Sequence, residues 1–234
     1  MNFNLLELQN GMILMVDKPW GWSSFKVVKT IKNFIKRKIN IKIKIGHSGT
    51  LDPMATGLLI ILIGKATKKT NIFHNYKKSY TGIIKLGCET ISLDSETEEI
   101  NFSSISHITP KLIEKTSKKL IGEINQIPPY FSALKKNGKR LYQYARNKEK
   151  IELFSRKIII YKFNILNIWI PYLKFFIECG KGTYIRSVAK DLGYFLNSKA
   201  YLFSLRRESI GNFFFSNKLK KIDELSNIFS CYTT

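Results

Sequence analysis

Residues 46–64 read "GHSGTLDPMATGLLIILIG". The second half is an apolar run with no polar face, which predicts a strand buried on both sides and therefore central in a sheet. The first half is of another kind. His47, Ser48, Thr50 and Asp52 are crowded among glycines and a proline, the composition of a turn. A carboxylate on a turn at the mouth of a central strand suits a reacting group, and it equally suits an ordinary Asp-Pro turn. The rest of the chain has to decide between them.

Working outward, the pattern is mixed α/β. "MILMV" (12–16) predicts a short buried strand, and "SSFKVVKTIKNFIKRK" (23–38) an amphipathic helix capped by Ser23 or Ser24, with Phe25, Val28, Ile31 and Ile35 on its apolar face. "SYTGIIKLG" (79–87) reads as a strand. "ETISLDSETEE" (89–99), with five of the 17 acidic residues, reads as an exposed loop or hairpin. "TPKLIEKTSKKLIG" (109–122) starts a helix with Thr109 as cap and Pro110 in its first turn. Strands are expected over 155–170 and 172–180, around Pro171, then a helix over 183–197 and a strand over 200–208. Strands and helices do not alternate strictly, so the expected fold is α+β with a mostly antiparallel sheet.

The chain has 234 residues, 44% of them apolar, enough for a substantial core. Its formal net charge of +22 points to a polyanionic partner, most simply nucleic acid. Composition supplies a competing explanation. With 33 Ile, 32 Lys and 17 Asn against 6 Ala, the bias is that of an AT-rich genome, in which lysine accumulates without selection for binding. The seven arginines are more telling, because Arg140, Arg146, Arg186, Arg206 and Arg207 fall in segments with other signals. Cys88, Cys179 and Cys231 are odd in number and far apart, so no disulfide framework is expected. His47, His74 and His107 are scattered and no metal-ligand spacing occurs, so no protein-bound metal is expected. The N-terminus lacks a signal-peptide pattern and no apolar run is long enough to span a bilayer, so the expected compartment is the cytoplasm.

Between the expected helix at 109–122 and the strand at 155 lies "NQIPPYFSALKKNGKRLYQYARNKEK" (125–150). Basic groups interleaved with aromatics suit an RNA surface, where cations meet phosphates and rings stack on bases. The alternative is a solvated loop with a short helix that buries Leu141, Tyr142 and Tyr144.

Six ordered segments together resemble the TruB family, the tRNA pseudouridine-55 synthases, over about residues 11 to 215. They are "GMILMVDKPWGWSS", "GHSGTLDPMATGLLIILIGKATK", "KSYTGIIKLG", "QIPPYFSALKKNGKRLYQYAR", "CGKGTYIRSVAKDLG" and "YLFSLRRESIGNF". The resemblance implies a pseudouridine-synthase fold and the isomerisation of a T-loop uridine, with tRNA as partner and no cofactor, membrane or protein partner, in a monomer. It assigns Asp52 as the catalytic aspartate, which acts as nucleophile at C1′ or as base at C2′. It assigns Arg186 as the cation pairing with that aspartate, where the residue type alone allows a helix-surface arginine. Tyr80 would stack against the target base and help remove the C5 proton, although a tyrosine here is also an ordinary strand aromatic. His47 would lie near the place vacated by the flipped base, Leu205 would line the pocket, and Lys18 and Pro19 would shape the first motif. Lys135, Lys136, Lys139, Arg140 and Arg146, with Arg206 and Arg207, are expected to meet phosphates.

The sequence departs from the family pattern at Ser23 and Ser48, where Thr is common, and at Phe131, where Tyr is frequent. Bacterial members usually continue into a small RNA-binding domain of the PUA type, whereas here "LKKIDELSNIFSCYTT" (219–234) follows the last motif. The expectation is one catalytic domain over 1–234 with an RNA-binding insertion at 125–150, no C-terminal domain, and one short helix at the end. Two rival readings are a non-catalytic RNA-binding module on the same scaffold and a synthase of the same chemistry with another RNA target.

Overall fold

In the computed structural model, residues 5–147, 149 and 151–214 are described. They group into two units, one running to Tyr80 and resuming at Arg206, the other Thr81–Leu205. The expected C-terminal helix lies outside the described residues.

The first unit opens with α1 (Leu5–Asn10) and β1 (Met12–Lys18), then α2 (Ser24–Ile39). Ser23 caps α2 by accepting from the Lys26 N–H, and Asn40 ends it in the left-handed conformation. β2 (Ile45–His47) and β3 (Ala55–Ile63) follow, then a 3-10 turn over Gly64–Lys69, α3 (Thr70–Asn75) and the first residues of β4 (Lys78–Leu86). β3 lies between β1 and β12 (Ala200–Ile210), with β2 paired to it antiparallel and β13 (Phe213–Phe214) on β12. The apolar run is explained by two cores. Leu59, Ile61 and Ile63 meet Val27, Val28, Ile31 and Ile35 of α2, while Leu58, Ile60 and Leu62 meet Ala66, Phe73 and Ile210. Phe25 is not on the buried face of α2. It is 72% exposed, and Val27 takes the core position instead.

Gly57 sits where β3 passes β12. Its φ is +100°, and a Cβ there would overlap the Arg207 carbonyl and lie 2.7 Å from the Arg207 N. Gly57→Ala is expected to lower stability by about 3 kcal/mol, from left-handed strain and a backbone clash that no rotamer relieves. Urea unfolding of the purified variant checks this. A change below about 1 kcal/mol would mean that the strand moves aside at little cost.

The second unit continues β4 and adds the short pair β5 (Glu89–Thr90) and β6 (Glu99–Ile100), then α4 (Pro110–Lys119) and β7 (Gly122–Gln126). A hairpin of β8 (Lys135–Lys136) and β9 (Lys139–Arg140) leads into α5 (Leu141–Arg146). β10 (Arg156–Trp169), β11 (Tyr172–Cys179) and α6 (Ile185–Phe195) complete it, with the first half of β12. The strand order here is β12–β4–β11–β10–β7, and the β10–β11 and β10–β7 pairs are antiparallel. The acidic segment 89–99 differs from expectation. It is tied by the β5–β6 pair, but Thr90, Ser92 and Asp94 are buried, and Asp94 forms a parallel bridge to Leu202. No helix among the described residues is long and apolar enough to cross a membrane.

Candidate active site

Asp52 stands on the turn between β2 and β3, and the main chain on both sides of it is held. Buried Ser24 accepts from the Leu51 N–H (2.8 Å) and donates to the Leu51 carbonyl (3.0 Å). The Pro53 carbonyl accepts from the Gly21 N–H (2.9 Å) and from Lys18 Nζ (3.2 Å). The Ala55 N–H closes the turn on the Asp52 carbonyl (3.0 Å). The serine pair therefore divides its work: Ser23 caps α2, and Ser24 fixes the turn. Lys18 is fully buried and also donates to the carbonyls of Pro19 and Trp22, the shaping role expected for it.

The charge around Asp52 is positive. Burial brings the Lys18 ammonium down to about 8, against the pull of the Asp52 carboxylate. Arg207 is buried as well. It donates to the Leu58 carbonyl (2.7 Å) and the Gly49 carbonyl (3.2 Å). Burial draws its guanidinium below the ordinary value, while hydrogen-bonded Tyr80 and the charge of Asp52 oppose this. The first unit thus brings together Asp52, Tyr80 and His47 of the expected set, with Lys18 and Arg207 as further members.

Arg206 and Arg207 are not a pair of surface phosphate contacts. Alternate residues of a strand face opposite ways. Arg207 points into the unit, and Arg206 forms a two-pronged pair with Asp17 (3.0 and 3.1 Å). One local signal bears on Arg207: it stands two residues after Leu205, and so on the same face of the strand.

His47 Nδ1 accepts from the Gly49 N–H (3.3 Å). Burial, and next the Arg207 charge, lower its pKa from the ordinary 6.5. In the unfolded chain this histidine takes its proton near 6.5, and in the folded protein only at lower pH. Its contribution to stability is complete above pH 6.5 and is lost as pH falls through that window. The expected result is an unfolding free energy that declines from pH 6.5 to 5, with a shallower decline in His47→Asn, read by urea titrations at each pH. Equal slopes in the two proteins would exclude His47 as the source.

In the second unit, Arg186 at the start of α6 is buried. It donates to the carbonyls of Ser92 (2.9 Å) and Phe131 (2.8 Å) and lies 3.6 Å from Asp94. Sequence reading missed Asp94, because it sits in an acidic run that looked solvated. Leu205 is half-buried on β12. In the insertion, Lys139 pairs with Glu149 (2.7 Å) and lies over the Tyr144 ring. Lys136 donates to the Glu152 carbonyl and covers Phe154. Lys135, Arg140 and Arg146 are exposed, with Arg146 over Tyr142. The short helix in this segment is α5. It buries Leu141, while Tyr142 and Tyr144 stay half-exposed.

Residues 36–185 match the TruB family pseudouridylate synthase (N terminal domain). The tRNA pseudouridine synthase B of Flavobacterium johnsoniae is 46% identical over 91% of this chain and 94% of its own length. That of Phocaeicola vulgatus is 44% identical over 88% of each. Among solved structures, a chain in a Cbf5–Nop10–Gar1 complex superposes with a TM-score of 0.71 at 27% identity, over 95% of this chain. This chain spans about half (55%) of that one.

Proposed function

The chain belongs to the TruB family of pseudouridylate synthases, and from that premise we propose that it isomerises uridine to pseudouridine in tRNA, at the T-loop uridine. In this reaction the C1′–N1 bond breaks, the base turns, and C1′ joins C5. The C5 proton leaves and N1 ends protonated, so no oxidant, reductant or energy source is consumed. The reading is supported above all by the Asp52 turn, anchored through Ser24, Gly21 and Lys18, with its carboxylate in the field of Lys18 and Arg207. A carboxylate held in this way acts at the sugar, as nucleophile at C1′ or base at C2′, and both roles need it ionised. Tyr80 is assigned to the target base, His47 and Leu205 to its surroundings, and Arg186 to the reacting centre by resemblance. The 125–150 insertion serves as the RNA-binding element. We place the reaction in the cytoplasm, where tRNA is the polyanion that the charge of +22 suits.

The target base must leave its stack, at a cost of a few kcal/mol, so recognition rests on RNA shape and backbone more than on base edges. The test is tRNA tritiated at uridine C5, incubated with the protein. Release of label to water, with pseudouridine found at the T-loop position, is expected. Absence of release from every tRNA would leave a binding module without this chemistry.

A further inference from the structure

The exposed side of α2 is basic and carries no acidic residue. At about 100° per residue, Lys26, Lys29, Lys32, Lys36 and Arg37 fall within an arc of about 140°, opposite the Val27–Val28–Ile31–Ile35 face. All five are exposed, and no acidic residue occurs anywhere in the helix. Among the described residues, the side chains of Lys29, Lys32, Lys36 and Arg37 form no hydrogen bond or ion pair. Lys26 lies 4.1 Å over the Trp22 ring. Beyond the cap at Asn40, exposed Lys42 and Lys44 carry the charge on. The described acids of this unit lie elsewhere. Asp17 is taken by Arg206, Glu208 lies 3.9 Å from the same arginine, Asp52 is in the candidate site, and Glu7 is on α1.

The insertion is mixed, with Lys135, Arg140 and Arg146 exposed and two of its lysines engaged. Lys139 is neutralised by Glu149, and Lys136 covers Phe154 while bonding a carbonyl. The helix that carries these cations is the one whose first residue, Ser24, holds the Asp52 turn. From Lys26 to Arg37 the stripe runs about 16 Å along the axis, enough to meet several successive phosphates of a strand. Phe25, 72% exposed, adds a stacking ring at the end nearer the turn.

We propose that the outer face of α2 is a phosphate-binding surface for the RNA substrate, carrying the backbone that leads away from the reacting nucleotide. The proposal rests on RNA as substrate and adds a contact surface outside the 125–150 insertion. It makes a claim that compositional drift does not. Drift supplies lysines to every exposed helix, α4 included, whereas only a binding face uses them.

The test compares two variants of equal charge change in the full chain. One replaces Lys29, Lys32, Lys36 and Arg37 by Gln. The other replaces Lys111, Lys115, Lys118 and Lys119 of α4, all exposed, by Gln. Binding of a tRNA transcript is measured from 50 to 200 mM salt, with circular dichroism confirming that both variants fold. Each lost phosphate contact flattens the log K against log salt slope by about 0.7 to 0.9. The α2 variant is expected to flatten it by about 2 to 3, and the α4 variant by less than about 1. Equal flattening in the two variants, or an unchanged slope in the α2 variant, would overturn the proposal. Pseudouridine formation by the wild-type protein is followed in parallel. If it is absent while the α2 slope changes as expected, the assigned reaction fails and the RNA surface stands.

Discussion

A protein carrying Asp52→Asn is expected to make no detectable pseudouridine yet to bind tRNA within about tenfold of wild type, a difference of about 1.4 kcal/mol. The anchors of the turn explain why these outcomes separate. Ser24 grips the Leu51 main chain, Lys18 and Gly21 grip the Pro53 carbonyl, and Ala55 grips the Asp52 carbonyl, so none of these bonds uses the Asp52 side chain. Asparagine keeps the shape and the turn. It removes the charge that can act at C1′ or C2′. It also removes the anion that holds up the Lys18 and Arg207 pKa values, so the Lys18 ammonium moves below about 8. The site becomes less negative, and RNA affinity has no electrostatic reason to fall. Tritium release and filter binding on the same preparation measure both halves. Turnover by a variant shown free of wild-type protein would remove Asp52 from the chemistry.

How much of this was legible depended on whether the signal was local. The β3 run, the Ser23 and Thr109 caps and the proline in the first turn of α4 are local signals, and each element formed where its residues predict. Phe25 was misread because Phe25, Val28, Ile31 and Ile35 make as regular an apolar stripe as the real one, and Val27 decides which way the helix rolls. The burial of Asp94 was not legible. A run with Glu96, Glu98 and Glu99 looks solvated, and only the bridge to Leu202 and the guanidinium of Arg186, distant in sequence, take Asp94 out of water. Arg207 was read as surface charge for a similar reason. Two adjacent arginines suggest a basic patch, but on a strand they part to opposite faces, one to Asp17 and one to the Leu58 and Gly49 carbonyls.

Arg186→Met is expected to cost about 3 to 5 kcal/mol of stability, a loss that the sequence alone did not suggest for this position. Arg186 and Asp94 are each about 5% exposed at the side chain. Asp94 Oδ1 accepts from the Glu96 N–H (3.0 Å), while its Oδ2 is buried with no hydrogen bond among the described residues. Methionine fills most of the arginine's volume but leaves that carboxylate in low dielectric without its cation, and leaves the Ser92 and Phe131 carbonyls without their donor. Most of the loss is therefore the cost of an orphaned charge. Asp94→Asn combined with Arg186→Met should recover about 1 to 2 kcal/mol of it, because the neutral amide needs no cation. Urea unfolding of the four proteins in the cycle measures this. An Arg186→Met protein as stable as wild type would show that the pair does not hold the fold. The double variant also separates two roles of the arginine. If Arg186 serves the reaction, tritium release stays lost in the double variant under conditions where circular dichroism finds it folded. If Arg186 only balances Asp94, release returns with stability.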